Sequence, residues 1–165
     1  MIVSNYNISP SRQARRAPMI PHVELGELAH LETICFPPEE LYDLDTLARF
    51  ASLNGAGLLR WFETRDDGQS HLAAFHLFNC IAAELITLDV HPDHRRRGIG
   101  TALVTESLRK LRELGHRQAT CQIATSNEAS LDLHYRLGFK AVRTLRNYYG
   151  AGRNAHLLVA ILQGP

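Results

Sequence analysis

Residues 88–102 read Leu88-Asp89-Val90-His91-Pro92-Asp93-His94-Arg95-Arg96-Arg97-Gly98-Ile99-Gly100-Thr101-Ala102: the end of an apolar strand, a proline turn, three arginines and the start of a helix. The order is electrostatically awkward. A helix N-terminus already carries about half a positive charge, and adjacent cations there are unfavourable by roughly some tenths of a kcal/mol each unless an anion lies between them. Gly98 and Gly100 bring no side chains to the place where the free N–H groups of the first turn point, so a phosphate can approach the backbone. The stretch therefore describes a pyrophosphate cradle at a strand-to-helix junction. Two familiar phosphate loops are excluded: GxxxxGK[ST] has no match, and a GxGxxG begun at Gly98 fails because Leu103 takes the third glycine's place.

Working outward, the helix continues to Leu114 through Ile99, Leu103, Val104, Leu108 and Leu111, with Glu106/Lys110 and Arg109/Glu113 pairs on its wet face and Gly115 at the left-handed cap position. Upstream, Leu85 to Val90 is a strand, and the runs Leu58–Thr64 and His71–Phe78 flank Asp66-Asp67-Gly68, the signal of an antiparallel hairpin. Before it, Leu25, Leu28, Leu31 and Ile34 recur at a spacing of three and stop at Phe36-Pro37-Pro38, which predicts an amphipathic helix; a second is expected from about Glu39 to Leu53. Downstream come a strand Ala119–Ala124, a short helix capped by Ser126 or Asn127 and ended by Gly138, and strands Phe139–Leu145 and Ala155–Leu162. Hairpins at both ends with crossover helices between them predict an α/β sandwich around a mixed sheet. Residues 1–17 are expected to form a flexible extension and residues 18–165 a single domain.

The chain has 165 residues, 45 % of them apolar, and carries 18 Lys plus Arg against 17 Asp plus Glu. That length and composition exclude disordered, collagen-like and disulfide-framework classes. The near-neutral total hides two opposite halves: residues 1–82 carry 6 basic and 10 acidic side chains, net −4, and residues 83–165 carry 12 and 7, net +5. The positive half holds the cradle, so a phosphate-rich ligand accounts for it and nucleic acid is not needed. The acidic residues of the first half include Glu39, Glu40, Asp43 and Asp45. Cys35, Cys80 and Cys121 have no CxxC spacing and read as buried, reduced thiols. His91 and His94 have no partner cluster, so no metal is expected. Nothing approaches the roughly 20 apolar residues of a membrane span, and the expected location is the cytoplasm.

Arg95-x-x-Gly98-x-Gly100 resembles the acetyl-CoA pyrophosphate motif (Q/R)xxGx(G/A) of the GNAT acetyltransferases. Ser126-Asn127-Glu128-Ala129-Ser130-Leu131-Asp132-Leu133-His134-Tyr135-Arg136-Leu137-Gly138-Phe139 is similar to that family's SNxxAxxLYxxxGF segment. Arg146-Asn147-Tyr148-Tyr149 resembles the NYY loop of the branch that acetylates protein N-termini, including the ribosomal-protein alanine acetyltransferases. These segments cover about half the chain.

The resemblance implies the GNAT acyl-CoA N-acyltransferase fold, a mixed, mostly antiparallel sheet with a V-shaped split between two central parallel strands, Leu85–Val90 and Ala119–Ala124, flanked by helices. It implies acetyl-CoA as cosubstrate. The backbone of Leu88 and Val90 would hold the pantetheine arm, Arg95, Arg96, Arg97, Gly98, Ile99, Gly100 and Thr101 would surround the pyrophosphate, and Asn127 would bond the pantetheine side. Tyr148 and Tyr149 would line an acceptor slot. Two positions depart from the family. Gln122 stands where the N-terminal acetyltransferase branch has a glutamate base, and Glu84 instead matches the base of the histone-acetyltransferase branch. His134 stands where a tyrosine would protonate the leaving sulfur, and a histidine can donate that proton. The expected function is direct transfer of acetyl from acetyl-CoA to a primary amine in a ternary complex, the α-amine of a peptide or protein; the alternatives are a small-molecule amine acceptor and a catalytically weak CoA-binding regulatory module.

Overall fold

The computed structural model describes residues 2–6, 22–38, 40–64 and 68–162. In chain order the elements are β1 (Ile2–Tyr6), α1 (His22–Cys35), α2 (Leu44–Ser52), β2 (Ala56–Thr64), β3 (Ser70–Asn79), β4 (Glu84–Val90), α3 (Ile99–Glu113), β5 (Gln118–Ala124), α4 (Glu128–Arg136), β6 (Lys140–Leu145) and β7 (Ala155–Ile161), with a 3-10 turn at Pro92–His94. One seven-stranded sheet runs in the order β1-β2-β3-β4-β5-β7-β6. Every neighbouring pair is antiparallel except β4 with β5. This is the mixed, mostly antiparallel sheet expected, with its parallel pair at the centre.

Residues 2–6, part of the stretch expected to be an extension, pair with β2 from Ile2 opposite Trp61 to Tyr6 opposite Gly57. The strand signal in Ile2-Val3 is short, and it takes the open edge of β2 to make it pay in backbone hydrogen bonds. The rest of that extension, the turn residues Asp66 and Asp67, and Glu39 lie outside the described residues. Helix α2 also begins later than expected. Asp43 accepts a hydrogen bond from the backbone N–H of Thr46 at 2.8 Å, which fixes the N-terminus there.

Helices cover both faces of the sheet. On one face α1 and α2 bury Leu25, Leu28 and Leu47 against Leu58, Phe75 and Leu77. On the other α3 buries Leu103, Val104 and Leu111 against Leu59, Phe78 and Leu85. Phe75 and Phe78, on opposite faces of β3, are both fully buried, and truncating either to alanine would cost about 3–5 kcal/mol.

The feature that positions the site is a bulge. Thr87 sits opposite Leu77 and Leu85 opposite Phe78, so Ile86 is an extra residue in β4. A bulge bends its strand and changes which face the following side chains take. Accordingly Leu85, Leu88 and Val90 pack on the α3 face, while Ile86 packs with α1 and Thr87 hydrogen-bonds a side chain of α1.

Candidate active site

The β4–β5 ladder contains only two residue pairs, Glu84 with Thr120 and Leu85 with Cys121. Beyond them the bulged β4 leaves β5, and β5 continues with β7 as far as Ala124 opposite Ala155. A cleft of about 980 Å³ opens at this split. Backbone groups of β4 there have no ladder partner on the β5 side, and such groups are expensive to leave unpaired, so the split suits an extended ligand.

One wall of the cleft belongs to α3 and α4. Gly98 is the N-cap of α3 with φ +79° and offers no side-chain cap, and the first turn of α3 contains no acidic residue. Its free N–H groups therefore face the cleft uncompensated, with Arg95 and Arg96 beside them. Arg96 itself adopts φ +61°, a conformation that costs a non-glycine residue of order 1 kcal/mol or more and recurs at ligand clamps. The two glycines act differently. Gly98 is required by its left-handed backbone, whereas a Cβ at Gly100 would lie 3.1 Å from Leu133 Cδ1, so Gly100 lets α4 close against α3.

Leu88, Val90, Arg95, Arg96, Gly98, Ile99, Gly100, Thr101, Asn127 and His134 all line the cleft. Asn127 lines the cleft and also caps α4, its Oδ1 accepting from the N–H of Ser130 at 3.1 Å. Arg97 is placed elsewhere: its guanidinium lies 3.4 Å from Glu63 and 2.8 Å from His94 Nδ1, and it is not part of the cleft wall. Arg95 spans the two walls, donating to the carbonyls of Val90 at 3.0 Å and Cys35 at 3.3 Å. A cation on the C-terminal carbonyls of α1 is favourable and pins that helix to the end of β4.

The opposite wall comes from α1, the segment after it and the loop before β7. Glu32, Phe36, Glu40, Tyr42 and Tyr149 line it. Tyr149 donates its hydroxyl to the carbonyl of Gln122 at 3.0 Å, while Tyr148 is half exposed and stands against the Tyr149 ring edge-on. Asn147 Oδ1 accepts from the N–H of Gly152 and Asn154 Oδ1 from that of Asn147, closing the loop that carries both tyrosines. Glu84 sits at the closed end of the split, paired with Thr120, and is not among the cleft-lining residues. Gln122 does line the cleft.

Glu32 is the residue that sequence reasoning missed. Its carboxylate accepts from the N–H of Tyr42 at 3.3 Å and lies 3.4 Å from Thr87 Oγ1, which in turn donates to Asp89 Oδ1 at 2.8 Å. Burial raises the Glu32 carboxyl to about 7, against the lowering effect of those two donors, and burial with the Glu32 charge raises Asp89 well above the carboxylate range. His76 is fully buried between Thr87 and Ser107, and desolvation lowers it to about 4. Burial also lowers His134. Its Nδ1 meets the carbonyl of Ser130 at 2.8 Å and must carry the proton there, which leaves Nε2 as an acceptor. The thiols of Cys35 and Cys121 are both pushed up to about 12, chiefly by burial, so neither supplies a thiolate nucleophile in the cleft. Among the described residues no cluster of three or more metal-ligating side chains occurs, and no helix is long and apolar enough to cross a membrane.

Comparison with known proteins shows the family and the fold. A sequence model of the acetyltransferase (GNAT) family matches residues 25–139. The chain belongs to this family and is an acetyl-CoA-dependent N-acyltransferase. It is 31 % identical over 116 residues to the ribosomal protein bS18 alanine N-acetyltransferase of Escherichia coli strain K12, a match covering 68 % of this chain and 76 % of that one. It is 35 % identical over 79 residues to an N-alpha-acetyltransferase of Sulfurisphaera tokodaii, spanning 47 % of each protein. Among solved structures, Arabidopsis thaliana NAA60 in complex with a bisubstrate analogue superposes over the full length of both chains with a TM-score of 0.77 at 20 % identity.

Proposed function

We propose that the protein transfers the acetyl group of acetyl-CoA directly to the α-amine of a peptide or protein N-terminus. The observation that carries this reading is the two-sided cleft: an uncapped helix N-terminus with Arg95 and Arg96 at one side, and a wall of Glu32, Glu40, Tyr42 and Tyr149 at the other. The first side suits a pyrophosphate and the second a cationic amine beside an extended backbone. The names of the relatives, an N-alpha-acetyltransferase and a ribosomal-protein alanine acetyltransferase, support the same acceptor class.

Acetyl-CoA would supply the thioester, with its diphosphate at Arg96 and the N–H groups of residues 98–101, and its pantetheine arm along the free edge of Leu88 and Val90. A thiolate nucleophile is missing from Cys35 and Cys121, which favours direct attack in a ternary complex over an acyl-enzyme. His134, neutral and with Nε2 as its basic nitrogen, is suited to receive a proton from the attacking nitrogen and return it to the departing sulfur. This inverts the order expected of a histidine acting simply as an acid. The reading is tested by incubating the full chain with acetyl-CoA and peptides of varied N-terminal residue beside a panel of small amines. Acetylation of peptide α-amines is expected, and turnover confined to small amines would overturn the acceptor assignment.

A further inference from the structure

An α-ammonium must lose a proton before it can attack; Gln122, where the related branch has a glutamate, is no base, and Glu84, the base first expected, lies at the closed end of the split outside the cleft lining. We infer that Glu32 takes that proton, with Thr87 and Asp89 positioning its carboxylate; this rests on the amine-acetylating reading above and deepens it. Glu32 is 1 % exposed yet lines the acceptor side of the cleft, and Asp89 beneath it is fully buried. Two carboxyls bridged by the single Thr87 hydroxyl cannot both carry a charge in so dry a place. Asp89 is the deeper of the two, and its Oδ2 has no hydrogen-bond partner to stabilise a charge, so Asp89 is the one that stays protonated. The charge then rests on Glu32, which receives the N–H of Tyr42 and faces the cleft.

The Thr87 hydroxyl and Arg95 favour a charge on Asp89, and burial with the Glu32 charge outweighs them. Arg95 lies near Asp89 and Cys35, the Cys35 thiol and Tyr42 phenol are held protonated, and His76 is neutral with Nδ1 on the Thr87 carbonyl. Glu84 adds a further negative charge beyond Tyr42. A Glu32 carboxyl at about 7 is matched to an α-ammonium of about 7.7–8, so the transfer is unfavourable by only about tenfold instead of about 4000-fold for an ordinary glutamate. The protons balance. One leaves the ammonium for Glu32 and then water; the neutral amine attacks, the C–N bond forms and the C–S pair goes to sulfur; the second N–H proton passes through His134 to the thiolate.

The test compares the full-length protein with Glu32→Gln, following kcat/KM for an acetylated peptide from about pH 6 to about pH 9.5. The variant is expected to lose about 100-fold near pH 7 and about threefold near pH 9, where the amine is neutral unaided, with acetyl-CoA affinity unchanged. An equal loss at every pH, or an unchanged profile, overturns the proposal. A carbon-13 titration of the Glu32 carboxyl in the unsubstituted protein provides a second readout: a midpoint well above the usual range is expected, and one near about 4.3 overturns it whatever the variant does. Failure of the unsubstituted protein to acetylate any peptide would sink the acceptor reading, whereas an active enzyme indifferent to E32Q would sink only this inference.

Discussion

His134 Nδ1 lies 2.8 Å from the carbonyl oxygen of Ser130, one turn earlier on α4, and its ring stands edge-on to Phe139 at 5.1 Å. The first contact sets the tautomer and the second holds the plane, so the ring is oriented before any substrate arrives. His134→Phe keeps the packing and removes the nitrogens. It is expected to lower kcat about 100-fold while leaving the KM for acetyl-CoA within about threefold. Because burial lowers the histidine, its protonation adds to the acid limb of kcat only below about pH 6.5, under the limb set near 7 by Glu32. Steady-state kinetics across pH checks both, and a variant that keeps full turnover would remove His134 from the chemistry.

The three arginines separate by geometry. Arg96 lines the cleft, while Arg97 is engaged with Glu63 and His94 outside it. Calorimetry of CoA binding is expected to show Arg96→Glu weakening affinity by about 10- to 100-fold and Arg97→Glu by about threefold or less. Equal losses would mean that the cradle includes both.

How far the sequence reveals all this depends on the range of the interactions involved. The strand, turn, glycine and helix of residues 88–102 are local, and every element of the central fold is legible from periodicity. The bulge at Ile86 is not, because it exists only in register with β3. Arg97 and Arg96 are indistinguishable in a run of three until the backbone turns at Arg96. Glu32 carries a signal in the helical phase. At about 100° per residue, the spacing of three from Leu25 to Ile34 drifts through about 180°, whereas Glu32, seven residues from Leu25, returns to within about 20° of it. Ile34 is indeed 38 % exposed and Glu32 1 %. A stricter helical count would have placed a carboxylate in the core.

His76 links the site to stability. Its folded value of about 4 lies below the ordinary imidazole value of 6.5, so the unfolded chain binds the proton first. Its contribution is fully present above about pH 6.5 and is lost as pH falls toward 4, about 3 kcal/mol in all. Glu32 and Asp89, whose carboxyls are raised, stabilise the fold as pH falls and oppose this loss, so urea melts from pH 7 to pH 4 are compared with those of His76→Gln, which is expected to gain stability relative to the unsubstituted protein toward pH 4. A difference between the two that stays constant over that range would contradict the burial of a neutral ring.

Tyr149 ties the acceptor loop to β5 through its hydroxyl on the Gln122 carbonyl at 3.0 Å. Tyr149→Phe removes that tie without emptying the slot. The expected result is a rise of about three- to tenfold in the KM for peptide with CoA binding unchanged, corresponding to about one hydrogen bond. A loss of CoA affinity would move Tyr149 to the other wall.

The central claim is transfer of acetyl to a peptide α-amine across a split sheet, and mass spectrometry of a peptide carrying both an α-amine and a lysine tests it most directly. With acetyl-CoA and the full chain, a single acetyl on the N-terminal nitrogen is predicted, because a lysine at about 10.4 stays protonated where an α-amine at about 7.7–8 does not. Acetylation of the lysine alone, or of neither amine by an enzyme that turns over small amines, would contradict it.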